Sequence, residues 1–109
     1  MRTMAAIEKA LANKNAGARR KACYALWRLG GDKALALLEH ALEDADIGVR
    51  QCACYALGQL GGDKALALLE KALEDKSAEV RAEACYALGQ LGGDKVLALI
   101  EKERQRVRK

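Results

Sequence analysis

The sequence repeats itself every 31 residues, and that period limits what the chain can become. Cys-Tyr-Ala-Leu begins at Cys23, Cys54 and Cys85, and Leu-Gly-Gly-Asp-Lys begins at Leu29, Leu60 and Leu91. Self-similarity at such an interval marks supersecondary units that cannot bury their own apolar face and must stack to do so. Cutting at this period gives units 10–40, 41–71 and 72–102 within a single domain over 1–109, leaving a basic tail at 103–109.

Each unit carries two helical patterns. Ala65, Leu66, Leu68, Leu69, Ala72 and Leu73 fall on one face at about 100° per residue, and Val49, Ala53, Ala56, Leu57 and Leu60 do the same. Strong helix formers fill most positions, Pro is absent and β-branched residues are scarce, which argues against strands. The periodicity predicts helices over roughly 4–13, 16–29, 32–43, 47–60, 63–74, 78–91 and 94–107. Gly61 and Gly62 offer a left-handed end to one helix and Asp63 a cap for the next, while Asn15, Asp46 and Ser77, all preferred N-caps, stand at the other corner. The expected fold is all-α: a short right-handed α-solenoid of three helix pairs plus a terminal helix.

The net charge of +4 is concentrated at the ends, with Arg19, Arg20, Lys21 and Arg28 near the start and Arg104, Arg106, Arg108 and Lys109 at the finish. This distribution permits an acidic partner without requiring nucleic acid. No apolar run approaches the roughly 18 residues of a membrane span, and no apolar leader-like segment follows Arg2. A targeting signal is therefore not expected. Nor is catalysis, because no nucleophile stands beside a base and the carboxylates fall on solvated helix faces.

The unit Gly62-Asp63-Lys64, Ala72-Leu73-Glu74-Asp75, Val80-Arg81, Ala84, Ala87-Leu88-Gly89, Leu91-Gly92 resembles HEAT-like repeats of the phycocyanobilin-lyase type. It is more similar still to the alphaRep proteins, artificial consensus versions of that repeat made as libraries of binders. The resemblance covers nearly the whole chain. Cys at 23, 54 and 85 replaces the small Ala of that family, and Leu68 and Leu99 stand where alphaRep units carry Pro. The resemblance implies a scaffold that binds a protein or peptide through the concave face of its second helices, with no cofactor. The His-Glu pairs of metal-dependent HEAT-repeat hydroxylases are absent, and His40 is the single histidine.

Where units 41–71 and 72–102 differ, most differences lie at the start of the second helix or in the loop before it. On a helical wheel Gly48, Gln51, Cys52, Tyr55 and Gln59 fall opposite the apolar arc. The candidate binding face therefore comprises Arg20, Lys21, Tyr24 and Arg28, then Gln51, Cys52, Tyr55 and Gln59, then Glu79, Ala82, Glu83, Tyr86 and Gln90. Tyr24, Tyr55 and Tyr86 would form a series spaced by about 10 Å if the second helices pack side by side. They are either anchors for a partner or fillers over the adjacent helix. The face is also graded, basic in the first unit and acidic in the third, which would orient a partner.

Cys23, Cys54 and Cys85 lie on a flank facing a neighbouring repeat and are expected to be small buried hydrophobes, too far apart to bridge. Cys52 occurs in one unit only and sits on the exposed arc, a thiol suited to a reducing, cytoplasmic compartment. Trp27 replaces the Gly of 58 and 89; if that Gly allows a preceding repeat to come close, unit one lacks such a neighbour and the indole can cover its open end. Arg19, Arg50 and Arg81 recur and are expected to tie adjacent loops through Asp44 and Asp75. Without polar terminal repeats, end-to-end association into a homo-oligomer is the alternative to partner binding.

Overall fold

The computed structural model describes residues 3–92, 101, 102 and 104–106. Six helices run through the first stretch: α1 (Met4–Leu11), α2 (Ala16–Leu29), α3 (Gly31–Ala41), α4 (Ile47–Leu60), α5 (Gly62–Ala72) and α6 (Ala78–Leu91). Residues 101, 102 and 104–106 are helical, and the rest of the closing helix expected at 94–107 lies outside the described residues.

The helices alternate between two layers, as a stack of helix pairs requires. In one layer α2 packs on α4 and α4 on α6, while α1, α3 and α5 lie against that row from the other side. The result is an elongated solenoid of 44 × 25 × 16 Å. A single apolar cluster threads it from Ile7 through Leu26, Leu38, Leu57 and Leu69 to Leu88, all of them sealed from solvent. Each such side chain contributes about 1.5–3 kcal/mol by burial, and the contribution exists only because the neighbouring unit supplies the cover.

Both kinds of corner are built by local chemistry. At the sharp one, Gly61 takes φ +69° and Gly62 φ +88°, a left-handed pair that ends α4 and starts α5 with almost no loop. Asp63 does not cap α5 as expected; the cap position is Gly61, and Asp63 sits inside the first turn, where its charge faces the positive helix end. At the wider corner Asn15 and Asp46 accept from the amides of Ala18 and Val49, as N-caps do. Ser77 occupies the same place without capping, because its hydroxyl donates to Glu79 Oε1 at 3.1 Å.

Neighbouring units are clamped by arginine. Arg19 grips both oxygens of Asp44 at 2.9 and 3.1 Å, and Arg50 grips those of Asp75 at 3.0 and 3.4 Å. Burial would raise the Asp44 carboxyl, but hydrogen bonds from Arg19 and from the Asp46 amide outweigh it and hold the group below the usual range. The hydrogen bond to Asp44 likewise holds the Arg19 guanidinium above its ordinary value. Arg81 departs from the expected pattern: its Nη1 donates to the Asp75 main-chain oxygen, and no ion pair joins it to a carboxylate among the described residues.

Gly58 marks a close approach, and its direction reverses the reading of Trp27. A Cβ at 58 would stand 2.9 Å from the Cβ of Ala87 and 3.4 Å from its Cα, so the near neighbour is the following repeat and not the preceding one. Unit one does have a following repeat, α4, so a missing close neighbour does not account for Trp27. The indole is half-buried against the core, with the Arg28 guanidinium 5.8 Å from the ring centroid. Cys23 and Cys54 are buried as expected, whereas Cys85 is only half-buried.

Candidate functional site

The second helices α2, α4 and α6 turn one face away from the core, and it carries the expected residues. None of them is buried: Arg20, Lys21, Tyr24, Arg28, Gln59, Glu79, Ala82, Tyr86 and Gln90 are exposed, and Gln51, Cys52, Tyr55 and Glu83 are half-buried. The half-buried ones come from α4 and from Glu83 of α6, because α4 has a neighbour on either side.

Arg20, Tyr24, Gly48, Gln51, Cys52, Tyr55 and Glu83 line a shallow hollow of about 350 Å³. It brings together side chains from three units, with a guanidinium and a carboxylate both on its wall. The other expected residues, Lys21, Arg28, Gln59, Glu79, Ala82, Tyr86 and Gln90, lie on the same helices outside it. Gly48, which the helical wheel puts opposite the apolar arc, is also on the wall. A Cβ there would meet Arg20 Nη1 at 2.6 Å, so glycine lets the guanidinium lie across the start of α4, with Asp46 at 3.4 Å. Arg20 is exposed and Asp46 half-buried, and a pair so open to solvent contributes little to stability.

The tyrosines are not evenly spaced. The rings of Tyr24 and Tyr55 meet edge to face with centroids 5.6 Å apart, closer than the helix spacing because the side chains lean together. Tyr24 remains 44% exposed and Tyr86 62% exposed. Gln90 Nε2 donates to the Tyr86 hydroxyl at 3.5 Å. Hydrogen bonding with the Cys52 thiol, assisted by nearby potential negative charge and by burial, holds the Tyr24 phenol above its ordinary pKa. Tyr24 and Tyr55 therefore pack on one another across two repeats, while Tyr24 in part and Tyr86 for the most part stay open to solvent.

Among the described residues no three or more His, Cys, Asp or Glu converge on one point, and His40 is exposed on α3. Burial pushes the Cys23 and Cys54 thiols up to about 12, which makes them poor nucleophiles and poor ligands. No described helix is long and apolar enough to cross a membrane.

Stacked helix pairs with a shared core, arginine clamps between units and an open face on the second helices define a helical repeat protein. The sequence matches the HEAT repeats over residues 3–89 and again over 41–108, and the chain belongs to that family. Human deoxyhypusine hydroxylase, solved in complex with glycerol, has a similar structure, with a TM-score of 0.77 and 28% identity over 94% of this chain and 37% of that one. Two engineered proteins share the fold at TM-scores of 0.55 and 0.54, each 24% identical over 90% of this chain. This chain spans 49% of one engineered protein and 30% of the other, so the match covers less than half of each of the three solved chains. No curated protein matches it in sequence.

Proposed function

We propose that the chain is a non-catalytic binding scaffold that recognises a protein or an extended peptide through the open face of α2, α4 and α6. One observation carries this reading: the positions at which the units differ gather on a face that also holds exposed Tyr24 and Tyr86 and the hollow beside them. Solenoids use such faces as extended binding surfaces. Tyr offers large contact area for little conformational cost, with a hydroxyl to spare. The gradient from Arg20, Lys21 and Arg28 to Glu79 and Glu83 favours a partner of opposite polarity in one orientation. The enzyme among the similar structures shares the helical stack, but the His-Glu pairs are missing from this sequence. The test is a chemical-shift footprint with a partner captured on the immobilised chain. Shifts concentrated on Tyr24, Tyr55, Tyr86 and their neighbours support the reading, and shifts confined to α1, α3 and α5 would refute it.

A second reading, self-association, is favoured by the end of the second-helix row. The face of α4 around Gly58 is covered by α6, whereas a Cβ at the equivalent Gly89 would meet nothing within 4 Å among the described residues. Light scattering across a concentration range separates the two: a strict monomer removes self-association, and a concentration-dependent dimer supports it.

A further inference from the structure

The clamps between units have two complete rungs and one incomplete rung. Arg19 and Arg50 are anchored alike, each Nη1 donating to the main-chain oxygen six residues earlier, Asn13 and Asp44, at 2.7 Å. The Nε and Nη2 edge of each then takes both oxygens of an Asp in the next unit. Arg81 has the same anchor, Nη1 to the Asp75 oxygen at 2.7 Å. One period beyond Asp75, however, the chain carries Arg106, whose Nη2 donates to the Leu73 oxygen at 2.9 Å. Two guanidiniums thus rest on one turn, and among the described residues no carboxylate pairs with Arg81.

We infer that the Nε and Nη2 edge of Arg81, with Arg106 on the same turn, is a carboxylate-binding site that receives an Asp or Glu side chain from an acidic segment of another polypeptide. The fold itself displays the chemistry twice, since the equivalent edge of Arg19 and of Arg50 holds a carboxylate. Forked Arg–carboxylate pairs combine charge with planar geometry, and the anchor has already ordered the Arg81 side chain, so little freedom remains to be lost on binding. A second copy in register is a poor source. One period before Asp44 stands Asn13, whose Oδ1 accepts from the Asn15 amide at 2.8 Å just as Asp44 Oδ1 accepts from that of Asp46, so a copy would offer a neutral amide. The site shares no residue with the tyrosine face, and neither proposal depends on the other.

The experiment titrates the full chain with an N-acetylated, C-amidated tetra-aspartate peptide and follows the Arg81 Nε–H resonance, assigned by its loss in Arg81→Lys. Arg20, Lys21 and Arg28 attract the same peptide, so the single resonance is the readout and bulk affinity is not. The Arg81 resonance should move saturably toward that of Arg50, unmoved by a tetra-asparagine control. Arg106→Asp supplies a carboxylate within the chain; it should displace the resonance before any peptide is added and cut the peptide response at least tenfold. A stationary Arg81 resonance while those of Arg20 and Arg28 move would overturn the site. So would an unchanged peptide response in Arg106→Asp, or an equal shift with inorganic phosphate at the same charge concentration, which would make it a general anion site.

Discussion

Single residues fix how the units are held together, and the two complete clamps differ in a way that can be measured. The Arg50 side chain is 5% exposed and Arg19 18%. Removing the carboxylate opposite Arg50 strands a buried charge, which costs about 3 kcal/mol or more, while loss of a partly solvated pair costs nearer 1 kcal/mol. Asp75→Asn should therefore lower the urea midpoint clearly more than Asp44→Asn does; equal losses would contradict the burial argument. The Asp44 carboxyl titrates below its unfolded value, so its contribution is full above the ordinary Asp range of about 4 and disappears as pH falls through the lower, folded value. The stability gap between wild type and Asp44→Asn should close on acidification. Among thiols, Cys23 and Cys54 are buried and pushed up to about 12, and Cys52 borders the hollow. Maleimide at neutral pH should label Cys52 in the native protein and reach Cys23 and Cys54 only after denaturation, as read by peptide mass mapping. The arginine clamps were legible in the sequence because Arg and Asp recur at the same interval. The failure of the third was not, because it depends on what stands at 106.

Helices were legible almost to their ends, since apolar periodicity, paired glycines and the caps Asn15 and Asp46 all agree about where each begins and stops. What misled was chemistry that two residues can share. Asp63 reads as a cap, but the double-glycine corner moves the cap position back to Gly61 and leaves Asp63 in the first turn. Gly58 reads as a site of close approach, correctly, yet periodicity alone does not say which neighbour comes close. Its partner, Ala87, supplies a paired test. Gly58→Ala should destabilise by about 1–3 kcal/mol through overpacking against α6, despite the better helix propensity of Ala. Gly89→Ala, with no atom of the described residues within 4 Å, should stabilise by about 0.5 kcal/mol. Thermal unfolding checks both, and a stabilising Gly58→Ala would mean that α4 and α6 lie farther apart.

At the scale of the molecule, the candidate face was legible because the wheel separates positions that must pack from positions that need not. The gathering of Arg20, Gly48, Cys52 and Glu83 around one hollow was not, since it depends on how far neighbouring helices advance past each other. The Tyr24 ring leans to within 5.6 Å of that of Tyr55, and Tyr86 is the most exposed of the three. If the face binds a partner, the three rings act together, and their loss should be felt in affinity and not in the fold. Calorimetric titration of a captured partner against the Tyr24→Ala, Tyr55→Ala, Tyr86→Ala triple variant measures this most directly. We expect affinity to fall at least about fivefold, corresponding to a loss of about 1 kcal/mol, with helicity retained; unchanged affinity in a folded triple variant would contradict the account.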